Sequence, residues 1–459
     1  MTVRSVTQAT PPAGRRSKLA AMDLVRSSRW ALLAAGVVAC TAAESEVRPD
    51  PDTIFFPTAL AVAPDDSVAF VVSANSDLTY DSGTVQVVDL AAVEQAVAAW
   101  KSNRTIPAGC AAVTEASETL ACPEADFLID DAGVRIGNFA SAVAIQELGG
   151  GKLRLLVPVR GDPSITWMDW DPTTRALACS SAQGFPLCDD AHRLVELSGV
   201  DDPPGLPSEP YGIFADSLAQ FAVVAHFFQG GMSLIDSPAD GAPTLVDAVS
   251  IGTPVGLTGV AGRKPGADDL IYAQTVDDDR VFMVTVARQP GRSPFLVGGG
   301  FFFQNAIGSG ETTGGDAKDS RGIVFRDGGD RAFFVNRSPP ALQQFDTSLG
   351  PTGVPRNVVT ASTDICPQAT SVTAADVGNG DRAYVTCYGA GELFVVDARA
   401  GGAVEATALV GRGPIGSAPV ASRRLLLVAN FLDDSLAVVD LDPASPFVNR
   451  VVLRLGGKS

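Results

Sequence analysis

Two histidines and seven cysteines are the side chains here best suited to chemistry, and their spacing decides which chemistry to expect. Six of the cysteines fall into sequence-local couples: Cys110 with Cys122, Cys179 with Cys188, and Cys366 with Cys387. A structural zinc site needs closely paired thiolates or imidazoles, and the chain has no C-x-x-C, so disulfides formed in an oxidising compartment are the simpler reading. Six thiols allow 15 pairings, which makes locality a preference and not a proof. His226 ends an apolar run and has the chemistry of a general base, yet no Ser or Cys nucleophile motif accompanies it. The "GSG" around Ser309 lacks the spacing of a nucleophile elbow. "GRGPIG", Gly411 to Gly416, spells G-x-G-x-x-G, but it joins strand to strand with Pro414 inside and no helix after it, so it makes no phosphate cradle. Aspartate-rich turns at Asp277 to Asp279, at Asp433 with Asp434, and from Asp376 lack the 12-residue spacing of a calcium loop and read as solvated turns. Neither a catalytic constellation nor a metal or cofactor site is expected.

The N-terminus carries a different kind of chemistry. Arg26 and Arg29 precede an apolar run from Trp30 to Ala39, and Cys40 follows. At ~1.5 Å per residue so short a run falls well below the ~30 Å of a bilayer core, whereas a basic segment, a short apolar segment and a small residue make a secretion signal. "VVAC" resembles a bacterial lipobox, with Val37 where Leu is usual, and the resemblance implies acylation of Cys40 after cleavage. Residues 1–39 are therefore expected to be a signal peptide, with Met22 a candidate true start, and residues 40–55 a lipid-anchored tether. Thr41 after the lipidated cysteine, with no Asp there, resembles lipoproteins sorted to the outer membrane. The membrane is reached by the lipid alone.

The elements that must position any site are read from bulk numbers and from a repeat. The chain has 459 residues, 46% of them apolar, and a formal charge of −18. Setting residues 1–39 aside removes six Lys/Arg and one acid, leaving 28 basic against 51 acidic side chains, or −23. Such a surface repels phosphate backbones, so nucleic acid is excluded as a partner. Abundant Gly, Pro and Val suit short strands and many turns. Seven pairs of apolar strands recur, among them "FAVVAHF" with "MSLID", "RAFFVNR" with "LQQFD", "RAYVTCY" with "LFVVD" and "RLLLVAN" with "LAVVD". His226 to Asp236, Asn336 to Asp346, Cys387 to Asp397 and Asn430 to Asp440 share one spacing. A small-residue strand precedes each pair ("FPTALAV", "PYGIFAD", "SRGIVFR", "GPIGSAP"), as strands crowded around an axis require. Four strands per unit, seven times over, predict an all-β seven-bladed β-propeller over residues 56–459. "LAAVEQAVAAWKS" spaces Val93, Val97 and Trp100 as a helix does, so a short helix is expected after blade one, followed by a disulfide-tied loop. A long Gly-rich excursion, mobile in its second half, is expected before blade five.

"VANFLDDSLAVVDLD" and "GRGPIGSAPVASRRLLLVAN" resemble the YVTN-type seven-bladed propeller repeat, most closely in the last two blades. Its members include surface-layer proteins and bacterial surface lipoproteins, and related propellers include lactonases and redox-enzyme subunits. The resemblance implies a shape and not a reaction.

Function is therefore read as a non-enzymatic cell-envelope module that binds or scaffolds a protein or glycan partner; the alternative is a lactonase-like hydrolase or redox-enzyme subunit using the central funnel. In a propeller the turns after the second strands and the connections between blades open on one face. Asn75, Arg160, His226, Asn336 and Asn430 hold equivalent places there, with Thr275 and Cys387. Turn chemistry accounts for the asparagines. Arg160 and His226 are not turn formers and are expected to place a positive spot on this face, suited to an anionic or carbonyl group.

Overall fold

The second strand of every blade is mainly apolar in its middle because both of its faces are covered. In the computed structural model, which describes residues 47–457 apart from 115, 200, 229, 252–255, 278, 305–317, 379 and 400, the strand Phe221–His226 is buried throughout. Phe221, Val223 and Ala225 pack toward the next blade, while Ala222 and Val224 pack toward the previous one. That is the two-residue alternation of a strand applied to two different neighbours. Each such Val, Leu or Phe contributes roughly 1.5 to 3 kcal/mol by leaving water. The segment expected to be a signal peptide, Cys40, the first part of the expected tether and the second half of the Gly-rich excursion lie outside the described residues.

Seven antiparallel blades result, each in sequence order from the axis outward. Their innermost strands begin at Pro57, Ala144, Pro210, Leu257, Lys318, Ala369 and Pro414. The ring matches the all-β propeller expected from the repeat. Blade one ends in a short fourth strand, Val134–Ile136, reached only after an insertion.

That insertion closes the ring. Helix α1, Leu90–Asn103, starts where the Asp89 carboxylate accepts from the amides of Ala91 and Ala92, and ends at Arg104 in the left-handed region at φ 59°. It buries Val93, Val97 and Trp100, the spacing read from the sequence. The chain then runs through the Cys110–Cys122 disulfide and lays Leu120–Cys122 parallel to Leu453–Leu455 on the outer edge of blade seven. A segment of blade one thus extends the sheet of blade seven, whose own four strands are contiguous. The Thr119 hydroxyl donates to the Val451 carbonyl at 2.8 Å, and the Trp100 indole N–H to the Glu118 carbonyl at 2.7 Å. Lys101 meets the buried carboxylate of Asp440 at 2.6 Å, and Arg423 pairs with Glu94. The other two disulfides are Cys179–Cys188 and Cys366–Cys387, so all three local couples form.

Candidate functional site at the channel mouth

The innermost strands start with a shared irregularity. In blades one, three, four, five, six and seven the pairing with the second strand shifts register near the start of the innermost strand, at Thr58, Tyr211, Thr258, Arg321, Thr370 and Ile415. In blade two the equivalent place, after the bridge from Ala140 to Val159, is Ser141. A bulge re-aims one side chain out of the pleat. All seven residues line one cavity of about 600 Å³ at the axis, opening on the face where the second strands end. Room at the axis is tight: a Cβ added at Gly212 would lie 2.2 Å from the Thr258 carbonyl oxygen.

Four members of this ring bond each blade to the next. Thr58 Oγ1 donates to the Ala140 carbonyl at 2.9 Å, Ser141 Oγ to Tyr211 at 2.8 Å, Thr258 Oγ1 to Ser320 at 2.6 Å and Thr370 Oγ1 to Pro414 at 2.8 Å. Each bond contributes about 1 kcal/mol and uses the proton a nucleophilic hydroxyl would have to give up. Tyr211, Arg321 and Ile415 break the pattern. After Arg321 the acceptor that a hydroxyl would have filled, the Ala369 carbonyl, takes a 2.7 Å bond from Arg337 Nε instead.

Among the described residues, Arg321 and Arg337 are the only charged side chains lining the cavity. Both reach Asp319: Arg321 through an ion pair, and Arg337 Nη1 at 3.4 Å from Oδ2. Among the described residues, two guanidinium groups sharing one carboxylate leave a net positive charge at the mouth of an acidic protein. Burial and the neighbouring Arg321 charge both push the Arg337 guanidinium below its ordinary value, a direction that an added anion would reverse. Tyr211 and Tyr388 stand at the rim, Tyr211 beside Phe227 with ring centres 5.6 Å apart. The Cys366–Cys387 disulfide ties the Gln368 loop to Tyr388, whose amide donates to the Gln368 carbonyl at 3.2 Å.

Of Asn75, Arg160, His226, Asn336 and Asn430, none is among the residues lining the cavity, and all but Arg160 are buried. His226 is fully buried, its Nδ1 3.1 Å from the Ser208 carbonyl and its Nε2 2.8 Å from Ser233 Oγ. A carbonyl only accepts, so Nδ1 carries the proton and Nε2 accepts from the serine. Arg160 forms an ion pair with Glu209 and sits 5.5 Å above the Tyr211 ring. Its charge is balanced there, and the unmatched cation of this face comes from Arg321 and Arg337. Asn75, at φ 50°, bonds the Tyr80 carbonyl and Asn138; Asn336 bonds Ser320 and Gln343; Asn430 bonds the Val410 carbonyl and Ser435. These asparagines hold turns and neighbouring strands together.

Burial lowers the His226 pKa from 6.5 to about 4. Between these two values the unfolded chain binds a proton that the folded chain refuses, so stability is full above pH 6.5 and falls as the pH drops toward 4. The loss expected is about 3 kcal/mol. Urea unfolding of the protein and of its His226→Gln variant at pH 7 and 4.5 measures it: the variant should lose less. Equal losses would contradict the assignment.

No protein-family model matches the chain, and no curated protein matches it. Among solved structures it is similar to hydrazine synthase from Kuenenia stuttgartiensis, with a TM-score of 0.51, 12% identity, and coverage of 88% of this chain and 99% of that one. The periplasmic gluconolactonase of Pseudomonas aeruginosa aligns with a TM-score of 0.49 at 13% identity, over 76% of this chain and 84% of that one. A protein from Lactobacillus plantarum aligns with a TM-score of 0.49 at 15% identity, over 71% and 91%. At such identities the likeness is one of fold: the chain is a seven-bladed β-propeller.

Proposed function

We propose that this propeller is a cell-envelope binding module that holds a carboxylate-bearing ligand, borne by a glycan or protein partner, at the mouth of its central channel. The observation that carries the reading is the break in the hydroxyl ring, where Arg321 and Arg337 share the single carboxylate of Asp319. Guanidinium groups match carboxylates in both geometry and charge. Binding is favoured over lactone hydrolysis or redox chemistry because the ring hydroxyls give their protons to backbone carbonyls and His226 is enclosed by Ser208 and Ser233. Three disulfides support an oxidising compartment, consistent with export and with lipid on Cys40 tethering the propeller to the outer membrane. Among the described residues no helix is long and apolar enough to cross a membrane.

Calorimetric titration of the mature chain with galacturonate and with galactose tests the reading. Galacturonate is expected to bind, more weakly as salt rises, and galactose is not. Equal behaviour of the acid and its neutral counterpart would overturn it.

A further inference from the structure

The rim residue Tyr388 lines two cavities. One is the channel mouth; the other, about 430 Å³, lies beside it between blades six and seven on the same face. The segment spelling G-x-G-x-x-G joins them: Gly411 and Gly413 line the second cavity, while Ile415 and Gly416 line the first. Two of its three glycines are required by crowding. A Cβ on Gly411 would meet Asn430 at 2.6 Å, and one on Gly413 would meet Leu432 at 2.8 Å and the Tyr388 ring at 3.1 Å. The motif is thus the junction of two pockets.

Charge in the second cavity resembles that in the first. Arg412 is neutralised by Asp433, which its Nε meets at 2.5 Å. Arg454 reaches only the Val410 carbonyl, at 3.4 Å, and its Nε is buried without a hydrogen-bond partner. Among the described residues it has no carboxylate. Two neighbouring cavities therefore each carry cationic charge beyond what their own carboxylates balance, with an aromatic ring as their common wall. Behind that wall Phe431 lies 6.4 Å from Tyr388 and 5.2 Å from Phe56, ring centre to ring centre.

We infer that the ligand is an acidic oligosaccharide, with one uronate at the channel mouth, a sugar ring against Tyr388, and a second uronate in the cavity of Arg454. This rests on the binding reading above and extends it from one carboxylate to a chain of them. A sugar ring offers an apolar face of C–H groups to an aromatic side chain, which supplies a broad apolar surface at small entropic cost. An acidic peptide would match the charges too, but an extended peptide gains affinity by pairing its backbone with a free strand edge. The walls of the second cavity are turns whose amides are already bonded: Gly391 to Cys387, Val410 to Gly391, Phe431 to Gly413 and Leu432 to Arg412.

Titration with mono-, di- and tri-galacturonate, and with tri-glutamate, tests the inference. Affinity is expected to rise about tenfold or more between the monomer and the trimer, since the second contact becomes intramolecular. Arg454→Gln should bring the ratio of trimer to monomer affinity close to one, and so should Leu432→Glu, which sets a negative charge at the rim of that cavity. Monomer binding that does not grow with length would overturn the two-site ligand while leaving the channel site standing. Absence of binding by every galacturonate would overturn both. Tri-glutamate gaining as much as tri-galacturonate would assign the site to peptides and overturn the glycan.

Discussion

Replacing Arg321 and Arg337 together by glutamine is expected to lower galacturonate affinity at least about a hundredfold, and Asp319→Asn is expected to raise it. A charge-assisted bond to a carboxylate contributes roughly 1.5 to 3 kcal/mol, and each 1.4 kcal/mol is a factor of ten. Removing both arginines leaves Asp319 as the local charge, so the mouth turns from attracting an anion to repelling one. Removing Asp319 does the opposite and frees both guanidinium groups. Asn is a sound replacement there because Asp319 sits at φ 68°, a region Asn tolerates. The two arginines should differ in stability. Arg337 also donates to the Ala369 carbonyl and so does the work of a ring hydroxyl, and its loss should cost about 1 kcal/mol. Arg321 holds no such bond, and Arg321→Gln should unfold at nearly the wild-type urea concentration. Equal affinity in the wild type, the double glutamine variant and Asp319→Asn would remove the site.

Opening the clasp between blades one and seven should produce the largest loss of stability. Lys101→Met leaves the carboxylate of Asp440, 1% exposed, without its cation, and removing one partner of a buried pair typically costs about 3 to 5 kcal/mol. The Asp442 amide and the Ser445 hydroxyl still bond that carboxylate, which places the expected loss at the lower end. Cys110→Ser with Cys122→Ser removes a link closing a short loop, for about 2 to 4 kcal/mol. Both variants should act in one place. Hydrogen exchange is expected to quicken first along Arg450–Gly456 and Leu120–Cys122, while blades three to five keep their protection. Uniform quickening around the ring would show that the insertion does not close it.

These two results concern features that differ in how far they could be read from sequence. The blades were legible because second strands such as Leu425–Asn430 open on a continuous buried apolar run, Leu425 to Ala429, a pattern that survives without knowing which residue faces which neighbour. Helix α1 was legible for the same reason, through Val93, Val97 and Trp100. The clasp was not. Leu120–Cys122 is three residues long, and the Thr119 bond that fixes it spans 332 residues. The end of the blades on which the second strands finish was legible, but the charged side chains that line its cavity lie one register step away. Counting along second strands singles out Asn336, whereas Arg337, the next residue, reaches the channel. Arg321 is visible in "SRGIVFR" only when its bulge is aligned with those at Thr58 and Thr370, and a bulge leaves no mark in a hydrophobic pattern. Arg160 and His226 share the register of the asparagines and differ from them in type; Glu209 and burial, neither visible in that register, decide what they do.

A bromide soak of crystals of the propeller, read by anomalous scattering, tests most directly whether the mouth of the channel is an anion site. The strongest peak is predicted between the Arg321 and Arg337 guanidinium groups, and it should vanish in the variant lacking both arginines. Bromide held elsewhere on the surface, with the channel mouth empty in wild-type crystals, would contradict the account.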